Sequence, residues 1–437
     1  MSKPIKPKDR DAIIQALNAG VVPRLGLRHI QVGRAQEVEA LVKDIERLSD
    51  AGSSIRLVIG EYGAGKTFFL NLVRLIALEK GLVVINADLG PDRRLHATGG
   101  QARSLYAELM RNLATRTKPD GGALGSVVER FIGKAHEEAS QNGKTVEDVI
   151  KTKLAPLEEL VSGYDFAAVM TEYWRASESG DEERKSAALR WFRGEWSTRT
   201  DARKALGVVR NIIDDAGFYD YLKLMSHFVR LAGYKGVLVV MDEMVNLYKL
   251  QSAQARSGNY EQLLRILNDV LQGSTNGLGF VMGGTPEFLM DTRRGLYSYE
   301  ALQSRLAENT FAKGGLVDLS GPVVRLQSLT QEDLYVLLSN IRNVFSGGDP
   351  AQHLVPDDAL TSFMQHCSQR IGDAYFRTPR NTVKAFVNLL SVLEQNPGVG
   401  WTDLIEDVAI AADEPEEIAI ISDEGGGSDD ELTSFRL

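Results

Sequence analysis

Gly60-Glu61-Tyr62-Gly63-Ala64-Gly65-Lys66-Thr67 follows the apolar run Ile55-Arg56-Leu57-Val58-Ile59 and leads into an apolar helical stretch over residues 68–78. A GxxxxGKT turn between a strand and a helix commits the chain to a layered α/β fold with a phosphate-binding loop. Glycines let successive backbone N–H groups converge on an anion, and the helix that follows adds the positive end of its dipole. The pattern predicts that residues 60–67, with Phe68 opening the helix, hold a nucleoside triphosphate. Lys66 would reach the β- and γ-phosphates, and the Thr67 hydroxyl would bind Mg²⁺. A glycine-rich turn with no ligand is the plain alternative. The complete spacing, ending in Lys-Thr, weighs against it.

A chain of 437 residues is longer than one hydrophobic core usually supports, and 43% apolar with 25% charged residues is ordinary for a soluble protein, so two or three structural units are expected. The single cysteine, Cys367, excludes an intrachain disulfide and a cysteine-rich zinc site, and the six histidines lack ligand spacing. A reducing, cytoplasmic location is expected. No apolar run approaches the roughly 20 residues needed to cross a bilayer, and the polar start MSKPIKPKDRD has no signal-peptide core, so no membrane association is expected. The net charge of −9 is concentrated at one end: from residue 413 onward there are nine acidic residues and one arginine. Its Gly-Ser content predicts a disordered, solubilising tail over 412–437; docking to a partner or nucleic-acid mimicry is the alternative.

Residues 8–19 read as a short amphipathic helix closed by Gly20, and Val32-Gly33-Arg34-Ala35-Gln36-Glu37 opens a second helix. After the phosphate loop, residues 81–88 form an apolar run suited to a parallel sheet covered on both faces. The next comparable strand begins only at Gly236 and ends in Asp242-Glu243. A gap of that length holds more than a crossover helix; its charged, aromatic sequence, including Trp174, Trp191 and Trp196, predicts a helical insertion over 120–225. The tryptophans read as core packing in preference to a base-stacking platform. Residues 278–285 and 323–326 supply a fourth and a fifth strand. From Thr330-Gln331-Glu332-Asp333, which has the cap and acidic first turn of a helix start, the pattern stays helical to about residue 411. The expected organisation is therefore a first core segment over 1–119, the insertion, a second core segment over 226–326, an all-helical domain over 327–411, and the tail.

ATP hydrolysis needs charge stabilisation at the γ-phosphate and an aimed water. Asp242 is placed to hold Mg²⁺ through water, and Glu243 to polarise the attacking water. Thr285, after the fourth strand, is a candidate for orienting that water. Arg380, in Thr378-Pro379-Arg380-Asn381, is a candidate for leaning over the γ-phosphate, and Arg305 for reaching a neighbouring subunit's nucleotide, with Arg294 as its rival. Arginines at helix starts are more often solvated or paired to carboxylates. Thr117-Lys118-Pro119-Asp120 mimics a guanine-reading motif but follows no apolar strand. Thr98-Gly99-Gly100-Gln101 echoes the transporter-ATPase signature but lies far ahead of Asp242, so a plain connection is favoured.

Taken together these residues resemble the AAA+ superfamily, in the branch containing replication initiators. Val32-Gly33-Arg34 with Glu37 looks like its adenine-proximal box, so Val32 and Gly33 join the expected nucleotide contacts. The resemblance implies Thr285 as sensor 1, Arg305 as arginine finger, Arg380 as sensor 2, and the 327–411 helices as a lid over a five-stranded parallel P-loop sheet. More narrowly, the phosphate loop with Phe68 and Phe69, the segment Arg190-Trp191-Phe192-Arg193-Gly194-Glu195 and Gly233-Tyr234-Lys235-Gly236 look like the ATP-binding proteins of bacterial anti-phage islands of BREX and Shango type. That implies a homo-oligomeric ATPase encoded beside a helicase and a TerB-like protein. Initiators carry a C-terminal winged helix, whereas here the helical pattern runs to about 411 and is followed by the acidic tail, so no such reader is expected. DNA contact would fall to an oligomer's pore or to the basic stretch of the insertion, Arg184, Lys185, Arg190, Arg193, Arg199, Arg203 and Lys204, which otherwise reads as a solvated helix face.

Three functions follow as expectations: an oligomerising ATPase that switches or loads a helicase or nuclease on foreign DNA; a transposon-type target-selecting filament on duplex DNA; or a nucleotide-gated scaffold with little turnover.

Overall fold

The protein is described by a computed structural model that covers residues 4–312 and 317–407. The acidic tail expected over 412–437, and the last residues of the expected helical stretch, lie outside the described residues.

Five strands form one parallel sheet: β1 Ser54–Ile59, β2 Val83–Asp88, β3 Val237–Asp242, β4 Leu278–Gly284 and β5 Val323–Arg325, in the order β2-β3-β4-β1-β5. β2 pairs with β3 from Val83↔Val237 to Asp88↔Asp242, and β3 with β4 from Val237↔Leu278 to Met241↔Met282. Every residue of β1, β3 and β4 is buried. Continuous apolar runs are what strands need when helices cover both sheet faces. β2 starts two residues later than its apolar run because Gly81, at φ 88°, still closes the preceding helix, and the Leu82 N–H donates to Ala77 O.

The chain divides into two compact units. The smaller draws on residues within 1–39, 58–73 and 324–407. Its helices Pro7–Asn18, Gln331–Phe345, Asp357–Ile371 and Arg380–Gln395 share a core built from Ile13, Leu338, Phe363, Cys367, Phe386 and Leu390. Gln331–Phe345 starts at a capping box: the Thr330 hydroxyl accepts from the Asp333 N–H, and the Asp333 carboxylate accepts from the Thr330 N–H. Buried Arg342 is held by the Val355 carbonyl and an ion pair to Asp357 at 2.7 Å.

The larger unit draws on residues 40–57 and 74–323. It holds β2, β3 and β4 and the helices Leu124–Asn142, Val146–Glu158, Gly163–Ser179, Glu182–Phe192 and Arg199–Leu206, with no strand between residues 120 and 225. Trp191, 1% exposed, packs edge-on against Phe166, Phe192 and Tyr221, and its Nε1 donates to Asn211 O. Trp196 Nε1 likewise donates to Ala187 O. Gly279 lies under helix Ala35–Ser49 so tightly that a Cβ there would sit 2.5 Å from Leu48 Cδ1. No described helix is long and apolar enough to cross a membrane.

Candidate nucleotide site

The loop after β1 adopts the conformation its glycines permit. Gly63 and Gly65 lie in the left-handed region at φ 76° and 77°, where another residue would cost about 1–2 kcal/mol. Gly60 is needed for space: a Cβ there would stand 3.3 Å from Leu326 O and 3.4 Å from the Ala64 side chain. Helix Lys66–Glu79 begins at once, with its first bond from Phe69 N–H to Gly65 O. The N–H groups of Lys66, Thr67 and Phe68 precede that bond and belong to the helix's first turn. Lys66 Nζ donates to Gly60 O and Glu61 O, both at 2.9 Å, so the ammonium folds back across the loop it would serve. Thr67 is exposed and Ala64 buried.

Three further segments of the same unit surround this loop. A cavity of about 750 Å³ is lined by Glu61, Tyr62, Leu329, Phe376, Arg377 and Thr378, among others. Its size suits a nucleotide, since small-molecule sites span roughly 300–1,000 Å³. Thr378 packs on the loop so closely that a Cβ at Gly63 would lie 3.0 Å from its side chain. Arg380 opens helix Arg380–Gln395 and donates to Tyr62 Oη at 3.3 Å and to Gly20 O at 2.9 Å. Gly33, at φ 59°, approaches Asp333, whose Oδ1 would be 3.1 Å from a Cβ there; Val32 is half-buried. Arg34 donates to the carbonyls of Ala64, Gly65 and Gln327. Glu61, Tyr62 and Thr378 thus line one cavity, while Arg34 and Arg380 hold the loop beside it through the Ala64 and Gly65 carbonyls and the Tyr62 hydroxyl; the loop's glycine turns and the cavity's volume fit a nucleoside triphosphate.

The remaining candidates lie in the larger unit. Asp242 ends β3 and is 8% exposed, in register with Asp88. Its carboxylate accepts from the Glu243 N–H at 2.9 Å, and its carbonyl accepts from the Leu89 N–H. Glu243 is exposed and held at φ 58°. A non-glycine residue in the left-handed region directly after a buried strand is a strained turn that aims its side chain out of the sheet. Thr285 caps helix Pro286–Met290, its hydroxyl accepting from Phe288 N–H at 3.4 Å. Arg305 is exposed, with Nε donating to Asn268 Oδ1 at 2.6 Å and Nη1 to Ala301 O at 2.7 Å. Arg294 is instead drawn into its own unit, donating to the Tyr248 and Leu250 carbonyls while lying over the Tyr248 ring.

The two look-alike motifs have structural duties. Thr115 and Lys118 close a tight turn around residues 115–118, and Asp215 caps helix Gln101–Arg111 by accepting from the Gly100 and Arg103 N–H groups. Within the insertion, Lys185 pairs with Glu129 at 2.9 Å and Arg190 stacks on Trp196, while Arg199, Arg203 and Lys204 are exposed.

A family model described as "BREX system ATP-binding protein BrxC/D" matches residues 5–409. The chain belongs to that family. It is an ATP-binding protein of the BREX defence system, and the GxxxxGKT loop at residues 60–67 lies within the matched residues. No curated protein matches the chain. Within this BREX protein, sequence reasoning passed over Arg34, Thr378 and Phe376 as site residues. Arg34 and Thr378 stand inside motifs whose other members were singled out; Phe376 carries no local signal, because only the tertiary packing brings it to the cavity.

Proposed function

We propose that the chain is a Mg²⁺-dependent, ATP-hydrolysing AAA+ switch that self-associates and uses its nucleotide cycle to regulate or load a partner helicase or nuclease on DNA during anti-phage defence. The observation that carries this reading is a glycine-built phosphate loop that Arg34 and Arg380 both grip and whose Glu61 and Tyr62 line a nucleotide-sized cavity. Lys66 would exchange its loop carbonyls for β- and γ-phosphate oxygens, and Thr67 and Asp242 are the residues that would hold Mg²⁺, which would neutralise phosphate charge. Glu243 polarises the lytic water, and Thr285 orients it with the proton its capped hydroxyl still has to donate. Arg380 stabilises the γ-phosphate in cis. Exposed Arg305 completes a neighbouring subunit's site, a role for which Arg294, bound to its own carbonyls, is poorly placed.

On this reading the 327–411 helices act as a lid, and residues 120–225 are an insertion whose exposed Arg199, Arg203 and Lys204 offer phosphate contacts to DNA. On the resemblance to anti-phage island ATPases, the partners proposed are a helicase and a TerB-like protein encoded nearby. The cytoplasm is the expected compartment.

The decisive experiment measures ATP hydrolysis by the purified protein against its own concentration, with and without duplex DNA, for wild type, Lys66→Ala, Glu243→Gln and Arg305→Ala. Specific activity that climbs with concentration and collapses by at least about 100-fold in each variant supports the shared-site ATPase. Glu243→Gln should still bind ATP. Tight binding by wild type with no turnover at any concentration, with or without DNA, would replace it with the nucleotide-gated scaffold.

A further inference from the structure

Arg34 carries two costs at one residue. Its backbone stands at φ 60°, in the region that disfavours side chains with a Cβ, and its half-buried side chain spends its guanidinium on backbone carbonyls. Nη2 donates to Ala64 O and, at 3.3 Å, to Gln327 O; Nη1 donates to Gly65 O at 3.5 Å. Three backbone carbonyls from two separate segments therefore share one planar cation, a match to the fixed fork of arginine. Burial pulls its pKa below the ordinary arginine value, against the opposing pull of Glu37 and Asp333. An arginine serving only to start helix Ala35–Ser49 would lie in solvent or on a carboxylate.

The geometry of the peptide group gives this arrangement a function. In a trans peptide the carbonyl of one residue and the N–H of the next point in opposite directions, and no cis bond occurs among the described residues. Drawing Ala64 O and Gly65 O toward Arg34 turns the N–H groups of Gly65 and Lys66 the other way. These are donors of the turn that would cradle the phosphates. The guanidinium also lies over Gly65, 3.6–4.0 Å from where a Cβ would stand. Gln327 belongs to the strap between β5 and helix Gln331–Phe345, and Gln327, Ser328, Leu329 and Thr330 of that strap line the cavity.

We propose that Arg34 is a positioning residue of the nucleotide site: it pins the Ala64 and Gly65 carbonyls so that the loop N–H groups face the phosphates, and through Gln327 it ties that loop state to the 326–331 strap. The proposal rests on the nucleotide reading of the cavity. It acts by preorganisation, so its loss weakens triphosphate binding without touching the ligand.

The test uses the full chain with Arg34→Gly and Arg34→Lys. Glycine keeps the left-handed backbone and removes only the guanidinium. Lysine keeps the charge but cannot span three carbonyls. A slowly hydrolysed fluorescent ATP analogue with Mg²⁺ is titrated, and amide hydrogen exchange is read on the ligand-free protein. Both variants should bind the analogue about tenfold more weakly, a change of about 1.4 kcal/mol. Exchange should speed up in peptides covering 64–67 and 326–331 but not in helix Pro7–Asn18, with the melting temperature near that of wild type. Binding within roughly threefold of wild type and unaltered exchange at both segments overturn the proposal. If Arg34→Gly folds poorly, Arg34→Lys decides by the same criteria. If wild type binds the analogue no better than Lys66→Ala, the nucleotide reading fails instead, and the exchange measurement still decides whether Arg34 pins the loop.

Discussion

The Arg380 guanidinium reaches the Tyr62 hydroxyl inside the phosphate loop at 3.3 Å while its Nε holds the Gly20 carbonyl at 2.9 Å. One arginine thus spans the start of helix Arg380–Gln395, the loop and the N-terminal segment. The two bonds use two of the guanidinium's five N–H donors, so the others can reach a γ-phosphate, to which a hydrogen bond is roughly twice as strong as to a neutral acceptor. Arg380→Ala should lower the turnover number by about 10- to 100-fold while the analogue's dissociation constant stays within roughly threefold. Tyr62→Phe removes a bond worth about 1 kcal/mol net and should shift affinity by no more than about fivefold. Steady-state kinetics beside equilibrium titration separates the two; an effect of Arg380→Ala confined to affinity would make it a ground-state contact.

Gly63→Ala should be among the most damaging single-methyl changes in the loop. It adds a Cβ at φ 76° and sets it 3.0 Å from Thr378. Gly122→Ala is the natural control, since Gly122 has φ 68° with nothing within 4 Å of its Cβ position. The control should lose about 1–2 kcal/mol from backbone strain alone. Gly63→Ala should lose more in chemical denaturation, and nucleotide affinity should fall by at least about tenfold. Equal losses would mean that Thr378 yields freely.

Arg305 and Arg294 are separable by what each substitution breaks. Arg305→Ala removes an exposed side chain and should leave the melting temperature within a few degrees of wild type while abolishing concentration-dependent turnover. Arg294→Ala strips donors from the Tyr248 and Leu250 carbonyls and should destabilise the fold by about 1–3 kcal/mol. The reverse pattern, a stable but inactive Arg294→Ala, would move the finger role to that residue.

Cys367 should be silent toward alkylating reagents in the native protein. It is fully buried in the helical core, and burial pushes its thiol up to about 12. Because the folded pKa lies above the unfolded value near 9, its contribution to stability is complete below pH 9 and is lost as pH rises from there toward 12. Maleimide labelling at pH 8 should proceed only on denaturation. Rapid native labelling would indicate that the Phe363–Phe386 core opens readily.

Much of this molecule is legible from local sequence. β1 to β4 announce themselves as largely apolar runs because both faces of the sheet are covered there, whereas β5 is three residues with one buried, and Thr330 with Asp333 marks a helix start by a mechanism contained in four residues. The loop glycines are equally readable, since GxxxxGKT encodes its own backbone geometry. What the sequence withholds is direction. Nothing local distinguishes Arg34, whose guanidinium turns inward to three carbonyls, from Arg305, which stays exposed. The contact of Thr378 with Gly63 joins positions more than 300 residues apart. It depends on how the helices of the smaller unit pack, and no spacing rule records that.

Glu243 holds a backbone angle that glycine or asparagine would adopt with less strain. Under its proposed role, any screen that rewards heat resistance alone would favour replacing it, and the hardiest survivors would be those that had surrendered turnover. A carboxylate at that corner is then a record of selection for chemistry over durability, and comparisons among naturally occurring variants should find loss of this acid accompanied by a gain in thermal tolerance of about 1–2 kcal/mol.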